Sequence, residues 1–117
     1  MAGTHRIKRG EDYRRIVRSG YRVGGRLSLA HAVLLSPETP SQFGFIISKT
    51  VGNAVTRNRV RRRLKEICYQ SVKDGFSGAA VVFRVFPGAA EASFQELENA
   101  IRKQLERLDR DLIDASN

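Results

Sequence analysis

The sequence predicts a single two-layer α+β sandwich over residues 1–117, and three observations carry that expectation. Apolar segments with strand character lie at residues 27–35, 42–48 and 79–86. Helical patterns precede, separate and follow them, in the order helix, strand, strand, helix, strand, helix, which suits helices packed on a sheet. A chain of 117 residues with 41% hydrophobic side chains is long enough for one modest core and too short for two. No internal repeat, low-complexity tract or linker divides it.

Taken in order, Gly10 and Gly20 bracket a short first helix. Glu11 and Asp12 sit in its first turn and Arg18 in its last, as the helix dipole favours. Its apolar residues Tyr13, Ile16 and Val17 share one face. The VGGR run at 23–26 reads as a turn before the first strand. Two prolines in SPETPS (36–41) mark a loop. From Gln42 to Ser48 the residues alternate: Phe43, Phe45 and Ile47 point to one face, the expected core side, and Gly44, Ile46 and Ser48 to the other. Lys49–Asn53 connects to a long helix with Thr56 as the expected N-cap. Ala79–Phe86 is apolar except for Arg84, the pattern of a central strand. Ser93 and Glu96 form a capping box for the last helix, striped by Phe94, Leu97, Ile101, Leu105, Leu108 and Leu112.

The long helix is the most informative element. Six of the nine residues from Arg57 to Lys65 are basic. Apolar Val60, Leu64, Ile67, Cys68 and Val72 recur among them, covering an arc of roughly 140° on a helical wheel. Arg59, Arg62 and Arg63 fall outside that arc and are expected in solvent. Arg57 and Arg61 fall inside it, with Asn58 and Lys65 near its edge. One band therefore runs from the core side outward through Arg57, Arg61, Lys65, Asn58 and Arg62. A buried guanidinium needs an acid or an anionic ligand, and the helix offers only Glu66, on its far side.

Charge is uneven along the chain. The net charge is +9, yet residues 1–70 carry 15 basic and 4 acidic side chains, and residues 71–117 carry 6 and 8. That asymmetry implies a polyanionic partner, with nucleic acid ahead of an anionic membrane. The basic helix has no Trp or Phe on its apolar side, and no apolar run approaches about 18 residues. No signal-peptide pattern opens the chain, and the single cysteine, Cys68, allows no internal disulfide. A cytoplasmic setting is expected. His5 and His31 are the only imidazoles and have no cysteine at ligand spacing. No paired acids or phosphate loop appear, so neither a protein metal site nor a catalytic residue is expected. From composition alone, a general RNA-binding or ribosomal protein fits as well. A DNA-binding helix fits less well, because its arginines wrap inward.

The run FGFIISKTVGNAVTRNRVRRRLKEICY resembles the signature of the bacterial ribonuclease P protein component. That signature is a strand ending in S-K-x-x-G-N-A-V, followed by an R-N-R helix. Ser48, Lys49, Gly52, Asn53, Ala54, Val55, Arg57, Asn58 and Arg59 match it. RIKRGEDYRRIVRSG is similar to the family's first helix and VVFRVFPGAAE to its last strand and exit turn. The resemblance implies a sheet of about four strands, like the second domain of a small-subunit ribosomal protein. It also implies a left-handed β-α-β crossover, against the general right-handed preference.

By the same resemblance, the chain assists a catalytic RNA that uses Mg²⁺ to remove the 5′ leader from precursor tRNA. The protein alone would be inactive. Lys49, Asn53, Arg57, Asn58, Arg59, Arg61, Arg62 and Lys65 would bind RNA, while Arg63 stands where the family varies. Tyr13, Val17, Ile46 and Ser48 would line a cleft for the single-stranded leader. At Val17 this chain departs from a position that is often aromatic, so it offers apolar contact without a stacking face.

Overall fold

The computed structural model describes residues 3–116. Its four strands are β1 (Tyr21–Gly24), β2 (Ser28–Leu34), β3 (Gln42–Ile46) and β4 (Ala79–Val85). Three main helices accompany them: α1 (Gly10–Ser19), α2 (Ala54–Lys73) and α3 (Phe94–Leu108). The sheet order is β1-β2-β4-β3. β2 pairs antiparallel with β1 and β4, whereas β3 and β4 run parallel and are joined through α2. β4 is central, as its apolar composition requires.

Strand β1 has no counterpart among the strands expected from the sequence. Its four residues, Tyr21–Gly24, are too few to show alternation, and only Val23 is buried. The expected turn at 23–26 shifts accordingly, to the residues after Gly24. Gln104 of α3 secures it. Its side-chain amide donates to the carbonyls of Val23 (3.0 Å) and Ser28 (2.9 Å) and accepts from the Ser28 hydroxyl (2.9 Å).

The two faces of the sheet are covered differently. On one face Val23, Ala30, Ala32, Phe43, Val81, Phe83 and Val85 meet Val60, Leu64, Ile67 and Cys68 of α2 and Leu97, Ile101, Leu105 and Leu108 of α3. The core reading of Phe43 holds, and half-buried Phe45 stacks on Phe83 with ring centroids 6.0 Å apart. Val72 packs half-buried against this core, and Ser71 beside it is also buried, its hydroxyl donating to the Ile67 carbonyl. On the other face Ile7 and Ile16 cover Ala80 and Val82, flanked by half-buried Tyr13, Val17 and Val33.

Cross-strand register sets the limit of that second layer. Arg22, His31, Val82 and Gly44 stand in one row across the four strands. Gly24, Leu29, Arg84 and Ile46 form the next. The α1 helix packs over the first row, where Gly44 lets the Tyr13 ring approach. A Cβ at position 44 would lie only 2.5 Å from that ring. The second row is left without a helix above it. Gly44→Ala should therefore push α1 outward and destabilise the fold by about 1–3 kcal/mol, the usual cost of overpacking. A denaturant titration checks this, and Gly44→Ala with Tyr13→Ala should regain part of the loss.

Candidate nucleic-acid interface

The connection from β3 to α2 builds the start of the basic surface. Ile47 and Val51 are buried and anchor it, leaving Ser48, Lys49 and Thr50 exposed. The Ser48 and Thr50 hydroxyls lie 2.6 Å apart. At Gly52 a Cβ would meet the Thr56 side chain at 2.8 Å, so the chain can turn tightly only without a side chain there. Asn53, not Thr56, is the N-cap: its side-chain oxygen accepts from the Thr56 amide at 2.9 Å. Both residue types cap well, and the expected boundary erred by one turn because Thr56 sits three residues further along.

Along α2 the structure brings Asn58, Arg61, Arg62 and Lys65 together with Val55 around one hollow. An Arg61 guanidinium nitrogen lies 3.4 Å from the Asn58 side-chain oxygen. Arg57 is half-buried beside them, and its Nε has no partner. Among the described residues every ion pair lies elsewhere, and Glu66 accepts instead from Gln70. The band therefore keeps its positive charge unneutralised. That is the arrangement a polyanion would complete.

Two arginines are not where the helical wheel puts them. Arg59 and Arg63 were expected in solvent, but both are half-buried against the segment that follows β4. Arg59 donates to the Ala90 carbonyl at 2.7 Å and Arg63 to the Ala92 carbonyl at 3.2 Å. The wheel sees only one helix, and the Pro87–Ala90 turn lies against its supposedly free side.

The uncovered row of the sheet forms a trough on the α1 side. Leu29, Ile46, Ser48, Thr50, Arg84, Phe86 and Pro87 are among the residues that line it. Ile46 and Ser48 are thus exposed on the face opposite Phe43, as the alternation indicates. Tyr13 and Val17 pack half-buried in the neighbouring apolar cluster, with the Tyr13 ring over Gly44, one row from Ile46. Of the four residues expected to form one cleft, the structure brings Ile46 and Ser48 into the trough, while Tyr13 and Val17 pack in the α1 cluster beside it and do not line it. Leu29, Thr50, Arg84 and Phe86 are trough residues that sequence patterns did not single out. Only Arg84, a lone charge in an apolar strand, carried a local signal.

His31 lies in the row behind, 2% exposed, with neither ring nitrogen hydrogen-bonded. Burial lowers its pKa below the ordinary 6.5, and the charges of Arg84 and then Arg22 lower it further. Among the described residues no group of three or more His, Cys, Asp or Glu side chains could hold a metal ion. No helix of the described residues is long and apolar enough to cross a membrane.

A basic helix in a parallel crossover, together with an arginine-bearing trough on an α+β sheet, defines a small RNA-binding protein. The Ribonuclease P family profile matches residues 1–109. The ribonuclease P protein component of Kocuria rhizophila is 44% identical over 98 residues, covering 84% of this chain and 86% of that protein. That of Rhodococcus opacus is 44% identical over 112 residues, covering 90% and 89%. The RNase P protein of Staphylococcus aureus, 24% identical, superposes with a TM-score of 0.78 over 87% of this chain and 93% of that one. A mutant of the same protein, with defective mRNA degradation activity, superposes equally well. The chain belongs to the ribonuclease P protein component family.

The buried neutral imidazole makes stability depend on pH. As pH falls through about 6.5 the unfolded chain binds a proton that folded His31 resists. Its contribution is full above that pH and lost as pH falls toward the lowered folded-state value. The denaturant midpoint should drop between about pH 7.5 and 5.5, and drop less in His31→Phe. Parallel profiles for the two proteins would remove His31 as the cause.

Proposed function

We propose that the chain is the protein subunit that holds the catalytic RNA of ribonuclease P on α2 and the precursor-tRNA leader in the trough. The single observation that supports this best is the basic band of α2, whose Asn58, Arg61, Arg62 and Lys65 share one hollow with no acidic partner among the described residues. Precursor tRNA and the catalytic RNA repel each other as polyanions. Cationic side chains between them lower that repulsion and with it the Mg²⁺ needed for association. The Mg²⁺ supplies hydrolytic chemistry within the RNA, and the cytoplasm is the proposed compartment.

Residue roles follow from what each side chain can offer. Asn58, Arg61, Arg62 and Lys65 present donors and charge to phosphates, with Arg57 behind them and Lys49 and Asn53 at the helix entrance. Arginine outnumbers lysine 16 to 5, which suits planar, bidentate phosphate contacts. In the trough Arg84 offers charge, and Ile46 and Phe86 offer apolar or stacking contact, with the Tyr13 ring one row away over Gly44. Ser48 adds a hydroxyl, while Val17 lies in the neighbouring α1 cluster and offers only aliphatic surface. Charge and stacking carry little base information, so leader binding should tolerate sequence.

The deciding assay is precursor-tRNA cleavage by the catalytic RNA at low Mg²⁺, with and without the purified chain. A rate increase on adding protein is expected, and no increase would reject the reading. The RNA-free protein should leave precursor tRNA intact. Since the Staphylococcus aureus mutant is defective in mRNA degradation activity, an mRNA belongs in the same control.

Arg61→Ala and Arg62→Ala should each weaken assembly with the RNA subunit. Each should flatten log K against log salt by about 0.7–0.9. Normal binding with an unchanged slope would make the band a structural feature.

Tyr13→Ala should lower affinity for precursor tRNA by about 1–3 kcal/mol if its ring stacks on a leader base, and leave mature tRNA nearly unaffected. Equal losses on both RNAs, with a lower melting temperature, would assign Tyr13 to packing alone.

A further inference from the structure

We propose that Arg59 and Arg63 are positioning residues that tie the RNA-binding helix to the rim of the leader trough and do not themselves bind RNA. The inference rests on the reading of α2 and the trough given above. It separates two arginines of the basic helix from their neighbours.

The two residues are four apart, so they lie one above the other on α2. Each spends a guanidinium nitrogen on a backbone carbonyl of the same short segment: Ala90 at 2.7 Å and Ala92 at 3.2 Å. Neither is in an ion pair among the described residues. Arg59 is half-buried and its Nε, like that of Arg57, is buried without a partner; what sets Arg59 apart is its bond to the Ala90 carbonyl. By contrast, Arg62 is exposed and has no protein partner among the described residues.

The segment they hold leads straight to the trough. It begins at Phe86 and Pro87, which line the hollow beside Arg84, Ile46 and Ser48. The Phe86 amide donates to the Leu27 carbonyl at 2.9 Å, fixing that end to the β1–β2 connection. Ala89 and Ala92 are buried, so the segment is seated as a unit, and Ser93 then caps α3. A charge-assisted hydrogen bond to a carbonyl is stronger than a neutral one and orients the planar guanidinium. Through these two bonds, the position of α2 on the catalytic RNA fixes where the Phe86–Pro87 rim stands relative to the leader.

The test compares holoenzymes assembled with wild-type protein, Arg59→Ala, Arg59→Lys, Arg63→Ala and Arg62→Ala. Two quantities are read: the salt dependence of assembly, and affinity for precursor against mature tRNA. Arg59→Ala and Arg63→Ala should keep the wild-type salt slope yet reduce the preference for precursor by up to about tenfold, the worth of one such bond. Arg59→Lys keeps a donor and should recover most of that preference. Arg62→Ala should instead flatten the slope by about 0.7–0.9. A slope flattened to the same degree by Arg59→Ala would make it an RNA contact and overturn the proposal. So would equal losses on precursor and mature tRNA with a lower melting temperature, which a purely structural arginine would give. A wild-type holoenzyme with no preference for precursor would overturn the underlying reading of the trough, and this one with it.

Discussion

Strand β4 has to serve two layers at once, and the rest of the architecture follows from how its residues divide between them. It is hydrogen-bonded along both edges, to β2 and β3. Val81, Phe83 and Val85 fill the large core beneath α2 and α3, while Ala80 and Val82 present small side chains to α1. Small residues on that side, with Gly44 in the neighbouring strand, let α1 settle closely. Arg84 ends the apolar run two residues later, and the cover ends there too. A charged side chain at that place keeps the next row open, because burying it without a partner would cost several kcal/mol.

The same strand fixes the basic helix. Parallel pairing of β3 with β4 requires a crossover, and α2 supplies it by packing Val60, Leu64, Ile67 and Cys68 on the inner face. Its other sides are then divided. One line of arginines turns toward the segment after β4, Arg57 is half-buried, and Arg61, Arg62 and Lys65 line a hollow without acids. The result is a basic surface along α2 and, on the α1 side of the sheet, a largely apolar trough bearing Arg84. In the proposed function, a protein of that form touches two RNA molecules and reduces the repulsion between them.

Most elements are legible in the sequence because local patterns specify them. The capping box of Ser93 and Glu96 is present as expected, with both reciprocal bonds formed. The glycine-bracketed α1, the central position of β4 and the burial of Phe43 also follow from nearest-neighbour chemistry. What escaped depends on contacts distant in sequence. Arg84 lines the trough because β2, β4 and β3 align it with Leu29 and Ile46, and no single strand reveals that register. His31 is buried by α1 and flanked by charges from β1 and β4. Arg59 and Arg63 are drawn in by a turn about thirty residues away, so a helical wheel places them wrongly. β1 is stabilised by its partner strand and by Gln104, not by its own four residues.

The central claim is that the two surfaces address different RNAs, and tethered cleavage probes test it most directly. Cys68 is fully buried and burial pushes its thiol pKa up, so an introduced cysteine can be labelled selectively. A hydroxyl-radical source would be attached at Ile46→Cys in the trough, at Arg62→Cys on α2, and at Lys103→Cys on α3 as a remote control. In the holoenzyme bound to precursor tRNA, the trough probe should cut the 5′ leader and the α2 probe the catalytic RNA, with little cutting from α3. Leader cleavage equally strong from the α2 probe, or none from the trough probe, would contradict the division of labour.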